Sequence, residues 1–364
     1  MATIEELVAR GEVGGRTVQI LATGAVECAT YEPAPLIDGH VRVRTVRSAI
    51  SPGTEMTFYG TAATNVYLRK RWNEELRLFE EGEPSMRYPI TFGYRAAGEV
   101  VDSGATDVAV GARVYGNWRH TELTSLPAGK ARAQLLPPEL TWDDGVDVAQ
   151  MGPICLNAVA FAEGEHHGSD VVVFGAGPVG LITAQAVAVD AATVLVVDRL
   201  ESRLEVAAAL GLDTLHAAHG VDVAATLKRR LGADGIPVAW DYTGSTHALH
   251  EAIRVVRRQG LVVAVGFYQG DATGLLLGDE FHHNGIRVVC GQIGNLHRSV
   301  SWDGLRRRTV ELARSGRLQL GSLPRVTLPV ERVGEAFEAL TKPGGALQAA
   351  LDYAMAGGAH GQSP

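Results

Sequence analysis

Cysteine is scarce in this 364-residue chain: Cys28, Cys155 and Cys290 are widely spaced and form no CxxC pair. That usage excludes a disulfide framework and a four-cysteine zinc lobe, and it fits a reducing compartment. Long apolar runs are absent too, since none approaches the roughly 20 residues needed to cross a bilayer. The segment from Met1 to Arg16 mixes acidic with apolar residues, unlike a secretory leader. A soluble, cytoplasmic protein without a membrane partner is expected. Basic residues are in deficit: 33 Lys plus Arg against 41 Asp plus Glu leave a formal charge of -8. The positive footprint of a nucleic-acid binder is therefore missing, so no nucleic-acid partner is expected.

Glycine, by contrast, is abundant, with 43 residues in 364, where roughly 7% is typical. Many tight turns and close backbone approaches follow. The length exceeds what one core usually organises and predicts two domains. Through about residue 46 the pattern is strand-like, and "HVRVRTVRSAISPGTE" reads as a half-buried strand entering a Ser-Pro-Gly turn. In "NVYLRKRWNEELRLFEEGEPSMRY", Trp72, Leu76 and Phe79 stand at helical spacing among charges. The spacing predicts an amphipathic helical insertion over about 65–87, either a solvated surface helix or a lid over a cleft.

From Asp170 the pattern changes. The runs "VVVF", "VLVVD", "TLHAA", "VAWDYT", "LVVAVG" and "IRVVCG" alternate with helix-like stretches, as parallel strands covered on both faces do. Six such strands predict a doubly wound α/β sheet. A helix at "WDGLRRRTVELARSG", the unit "RVTLPVERVGEAFEAL" and a last strand "ALQAALDY" follow, and "AGGAHGQSP" reads as disordered. The expected division is 1–156, then 157–294 for the parallel sheet, then 295–364 as a return to the first domain and a tail.

Within "VVVFGAGPVGLITA", Gly175, Gly177 and Gly180 mark a turn from strand to helix, with Pro178 and Val179 opening the helix. Gly175 permits the tight turn, Gly177 lets backbone approach a pyrophosphate, and Gly180 allows close helix–strand packing; the helix amino terminus favours the anion. Asp198, ending the next strand, is placed for the ribose hydroxyls and favours NAD, while Arg199 and Arg203 lie close enough to leave NADP possible. As an alternative or in addition, Asp198 caps the following helix. Asp241, Thr243, Gly244, Gly266 and Phe267 fall at carboxyl ends of strands, where ligands sit, though each also suits plain turn chemistry.

In this order the motifs resemble the medium-chain dehydrogenase/reductase superfamily over about residues 17–353: "VRVRTVRSAISPGTE", "PITFGYRAAGEVVDSG", "VGARV", "GPICLNAV", "VVVFGAGPVGLITAQAV", "VVDRLESRLEVAAALG", "DYTGS", "VRRQGLVVAVGF" and "PVERVGEAFEAL". The "SPGTE" turn is similar to the bacteriochlorophyllide dehydrogenase branch. The resemblance implies a GroES-like β-barrel catalytic domain, a Rossmann domain and an active site in the cleft between them. It also implies a homodimer or dimer-based tetramer, with the edge strand "GIRVVCG" as the pairing candidate.

Departures from the family pattern bear on mechanism. Where zinc-dependent members carry ligands, this chain has Ser51, Tyr94 and Gln150 or Met151, so the resemblance implies no catalytic metal. The customary glutamate is Arg95, and an arginine often found on the last strand is replaced by Gln348. A metal-free site needs another source of positive charge or a proton donor. Tyr94 is the expected donor or acceptor, Arg95 the cation lowering its pKa, and Glu55 an anchor or proton relay. The competing arrangement packs Tyr94 and pairs Arg95 with a carboxylate such as Glu55. His282, His283 and His297 are rival acid/base groups, of which at most one of the adjacent pair can face a cleft. The expected activity is hydride transfer between NAD(H) and a secondary alcohol or ketone of a polar small molecule. The rivals are a metal-free enoyl or quinone reductase using NADPH, and a non-catalytic dinucleotide sensor.

Overall fold

Two units of different architecture make up the chain in the computed structural model, which describes residues 15–60, 65–342 and 344–354. The described residues up to Gln150, with those from Arg325 onward, form one unit; Met151–Pro324 form the other. The tail expected at "AGGAHGQSP" lies outside the described residues.

The first unit is mainly antiparallel. Strands β1 (Gly15–Ala22), β2 (Ala25–Tyr31), β3 (His40–Ile50), β4 (Arg71–Asn73), β5 (Leu78–Glu80), β6 (Ile90–Thr91), β7 (Ala96–Ser103), β8 (Arg113–Gly116) and β9 (Leu123–Pro127) follow in sequence. β1 pairs with β2 and β6, while β3 pairs with β7 and β9, and β7 with β8. Val41 and Val43 of β3 pack with Ala96, Val100 and Val114, all fully buried. Each such valine contributes about 1.5–3 kcal/mol by leaving water.

The helical insertion expected over 65–87 is instead a 3-10 turn, Val66–Leu68, followed by the hairpin β4–β5. The cause is a period shared by two structures. Trp72 and Phe79 stand directly opposite in the hairpin, with ring centroids 4.8 Å apart, so a seven-residue interval that suits two helical turns also suits a cross-strand pair. Asn73 closes the bend by accepting the Glu75 and Leu76 N–H groups at 3.1 and 3.0 Å. Leu76, the third member of the supposed stripe, is 58% exposed.

The second unit holds β10 (Asp170–Phe174), β11 (Thr193–Asp198), β12 (Asp213–His216), β13 (Ile236–Asp241), β14 (Val256–Ala264) and β15 (Arg287–Cys290). All pair in parallel in the order β12-β11-β10-β13-β14-β15. This is the doubly wound order whose direction of winding reverses between β10 and β13. Val-rich β10 and β11 are buried because helices such as Pro178–Val187 and Thr246–Val255 cover the sheet. The unit begins and ends beyond the expected 157 and 294. The helix Gly152–Ala160 packs on both Pro178–Val187 and Trp302–Arg314, so both flanking segments belong to this unit.

The chain then returns to the first unit with β16 (Arg325–Pro329), the helix Val333–Thr341 and β17 (Gln348–Asp352). β16 runs parallel to β17, which pairs antiparallel with β3, completing the order β16-β17-β3-β7-β8 with β9 also on β3.

Candidate active site

In the parallel-sheet unit, the glycine turn follows β10 directly. Gly175 has φ +98, which side-chain-bearing residues rarely adopt, and a Cβ on Gly180 would lie 1.8 Å from the Gly175 carbonyl oxygen. At Gly177 a Cβ would meet nothing within 4 Å, which is the open face a pyrophosphate needs. Pro178 occupies the first helical turn and no side chain caps the helix. The positive end of its dipole is thereby left for an anion. Val179 follows Pro178 in that first turn.

Asp198 reaches this turn from β11. Its Oδ2 accepts the Ala176 N–H at 2.7 Å and its Oδ1 accepts the Leu200 N–H at 2.9 Å. The carboxylate is thus locked beside the glycine turn with lone pairs left for ribose hydroxyls. Arg203 comes within 3.9 Å of it, and Arg199 is exposed. Beyond β13, the Asp241 carboxylate is fully buried and accepts bonds from the Thr243 N–H at 2.9 Å, the Thr243 hydroxyl at 2.7 Å and the Tyr268 hydroxyl at 2.6 Å. Burial pushes its pKa up, and those bonds oppose the shift. They fix the loop that brings Gly244 against Gly266, where a Cβ would lie 2.3 Å from the Gly244 nitrogen. Phe267, next in line, is 40% exposed. The predicted cofactor residues therefore gather at the carboxyl ends of β10, β11, β13 and β14.

The antiparallel unit holds the other cluster. After β3, the Ser51 N–H donates to Glu55 Oε1 at 3.0 Å, while Glu55 Oε2 meets His120 Nε2 at 2.8 Å and His120 Nδ1 meets Ser48 Oγ at 2.8 Å. All four residues are buried. A carboxylate only accepts, so Nε2 donates toward Glu55. His120 escaped the sequence reading. The signal available was its place just after "VYGNW", where a loop returns to the end of β3.

Tyr94 adjoins this cluster through Gly93, whose φ is +115 and whose Cβ would lie 2.4 Å from the His120 nitrogen; only glycine lets the segment pass so close. The Tyr94 carbonyl accepts the Asn117 amide at 2.8 Å, and the same amide donates to Gln150 Oε1. Tyr94 as a residue is half-buried. Burial raises its pKa and the Glu55 charge adds to this, while the Ser51 and Thr54 hydroxyls and Arg95 act in the other direction. At neutral pH the phenol therefore carries its proton.

Arg95 acts on Tyr94 in the expected direction, lowering its pKa, but is the least of the named influences. It is fully buried, ion-paired to Asp147 at 2.8 Å, and donates to the carbonyls of Ala49 and Ile50 at 3.1 and 2.7 Å and to Gln348 Oε1 at 3.1 Å. Asp147 takes a second cation, Arg325, at 2.6 Å. The guanidinium is spent on holding β3, β7 and β17 together. It does not pair with Glu55, whose partner is His120. Gln348 lies in this same buried network. His282 and His283 are exposed on a helical turn, not a strand, and His297 bonds Ser299 at 2.8 Å and Glu163 at 3.3 Å.

Residues 178–302 match the family model described as zinc-binding dehydrogenase. D-guloside 3-dehydrogenase of Shigella flexneri is 27% identical over 274 residues, covering 71% of this chain and 75% of that protein. L-galactonate-5-dehydrogenase of Escherichia coli is 34% identical over 172 residues, covering 44% and 46% of the two chains. The solved structure of 2R,3R-butanediol dehydrogenase from Bacillus subtilis superposes with a TM-score of 0.74 at 20% identity, over 93% of this chain and 99% of that one. The fold is that of the medium-chain dehydrogenases. It joins a GroES-like antiparallel domain to a Rossmann domain.

Medium-chain dehydrogenases that use zinc hold it with thiolate, imidazole or carboxylate donors, and the corresponding residues here do not fit that ion. The Ser51 hydroxyl is buried, the Gln150 amide oxygen is engaged by Asn117, and the Tyr94 phenol keeps its proton. Three neutral oxygens supply neither the charge nor the softness zinc selects. Among the described residues no helix is long and apolar enough to cross a membrane.

Proposed function

We propose that this chain is a cytoplasmic NAD(H)-dependent oxidoreductase acting without catalytic zinc on a secondary alcohol or ketone of a polar, sugar-like or ring-bearing molecule. The observation that carries the cofactor assignment is the Asp198 carboxylate held against the glycine turn by the Ala176 N–H at 2.7 Å. A carboxylate there accepts ribose hydroxyls and repels a 2′-phosphate. The relatives named for guloside and galactonate support a hydroxyl-rich substrate.

The nicotinamide, when bound, supplies or accepts the hydride. Tyr94, kept protonated, donates its phenolic proton to the oxygen of a carbonyl being reduced and is left as phenolate, and in oxidation that phenolate form takes the alcohol proton. Glu55, bonded to the Ser51 N–H and His120, is a positioning residue for the Ser51 turn beside Tyr94. Arg95 positions Tyr94 through the β3 carbonyls it binds.

The test is a cofactor-reduction screen with NAD and NADP over polyol and ring-alcohol panels, with Tyr94→Phe run alongside. Turnover with NAD is expected. The variant should lose about 10²–10⁴-fold in kcat while NADH affinity is kept. NADPH-dependent reduction of enones would instead assign a quinone-reductase activity. NADH binding with no turnover on any alcohol, ketone or enone would assign a sensor.

A homodimer or dimer-based tetramer is part of this reading. β15 ends the sheet order, and its Val288 is 38% exposed, which suits edge-to-edge pairing with a second copy. Sedimentation of the wild type against Val288→Lys tests it, with dissociation expected in the variant.

A further inference from the structure

We propose that His166, His167 and Asp190 form a site for a divalent transition metal of the zinc class, in the Rossmann unit and apart from the catalytic chemistry. One ligand atom from each of the three lies within 4.8 Å of the others. His166 and His167 stand in the turn 161–169 that leads into β10, and Asp190 follows the carboxyl end of the helix Pro178–Val187. The two segments already meet through the backbone, where the Gly168 N–H donates to the Asp190 carbonyl at 2.8 Å.

The independent observation is at His166. Its side chain is only 5% exposed, and its buried Nδ1 has no hydrogen-bond partner among the described residues. An orphaned imidazole nitrogen in that position costs free energy unless something occupies it. The ring is held edge-on to Trp240 and His167, with centroids 5.9 and 4.4 Å away, which restricts its rotation. It lines a cavity of about 220 Å³ together with His167, Asp190, Leu156, Val159 and Arg308. Arg308, the cation of this lining, is paired with Glu311 at 3.3 Å.

Two nitrogens and one carboxylate oxygen, with a water in the fourth position, make a tetrahedral set. In such a set the ligand atoms stand roughly 3.4 Å apart, a closure that the exposed His167 and Asp190 can make by rotation. The negative end of the Pro178–Val187 dipole favours a cation there, as its positive end favours the phosphate anion. The metal would clip the turn before β10 to the end of that helix.

The test uses the full chain stripped with a chelator and titrated calorimetrically with Zn²⁺ alone, then with Co²⁺ followed by visible absorption. One site per chain is expected, with the bands of four-coordinate cobalt and a melting temperature raised by about 5 °C at saturating zinc. His167→Ala and Asp190→Asn should each weaken binding at least tenfold without lowering the metal-free melting temperature. His250→Ala, at a second His/Asp/Glu group, should leave it unchanged. Failure to bind zinc at 100-fold molar excess, or affinity untouched in both variants, would overturn the proposal. Zinc found in purified protein thus does not by itself indicate a catalytic metal; its loss from His167→Ala assigns it to this site.

Discussion

The two polar regions of this chain are built on opposite plans. Around the glycine turn, backbone groups and a single carboxylate define an open surface: Gly177 faces nothing within 4 Å, and Asp198 is fixed by two N–H groups. Around Tyr94, polar side chains are sealed inside and bond one another, with Arg95, Asp147, Glu55 and His120 all at most 1% exposed. A surface made of backbone can be spoiled locally, by one methyl group. A sealed network couples position to stability, so damage to it spreads.

The largest effect on folding should come from the sealed network. Asp147 is ion-paired with both Arg95 and Arg325; Arg325 also holds Asp143 at 3.1 Å, so Asp147→Asn leaves the buried Arg95 guanidinium without a counter-charge. A loss of about 3–5 kcal/mol is expected, read as a lower denaturation midpoint for the antiparallel unit. If Asp147→Asn kept wild-type stability, the contrast between the regions would fail. Next is Gly180→Ala, whose Cβ would press on the Gly175 carbonyl at 1.8 Å. Overpacking against backbone should cost about 1–3 kcal/mol, and NADH binding should fall with it because the turn itself must move.

The pH profile sharpens the comparison from the other side. Because burial raises the Tyr94 phenol above its ordinary 10.0, the donor form persists across the neutral range. Carbonyl reduction should stay flat through neutrality and decline only above pH 10.0, as the proton is lost through the raised pKa. A decline centred well below 10.0 would mean that another group supplies the proton.

What could be foreseen follows the same division. The placement of Gly175, Gly177, Gly180 and Asp198 was legible because it is local: a strand end, a turn and a helix start lie within a few residues, and Asp198 ends the very next strand. His120 was not, since its partners Ser48 and Glu55 are 72 and 65 positions away, and nothing in "RHTEL" announces them. Arg95 could be seen as an unusual residue, but its counter-ion Asp147, 52 positions on, depends on how β3 and β7 pair. The hairpin at Trp72 and Phe79 was misread for a different reason. An interval of seven has a helical and a cross-strand meaning, and the Asn73 bend that decides between them is a side-chain bond.

The smallest effect on stability belongs to Gly177→Ala. Its φ of -77 is ordinary for any residue, and the added methyl meets nothing within 4 Å. Folding should change by less than about 0.5 kcal/mol, since losing glycine's unfolded-state freedom offsets any minor strain. The methyl nevertheless enters the space in which backbone and pyrophosphate must approach. NADH affinity should weaken about tenfold, or roughly 1.4 kcal/mol, with the melting temperature of the unliganded chain unmoved. Set beside Gly180→Ala, in which folding and binding fall together, this separates a glycine that the protein needs for its own packing from one that it keeps for a ligand. Unchanged NADH affinity in Gly177→Ala would place the phosphates elsewhere on the unit.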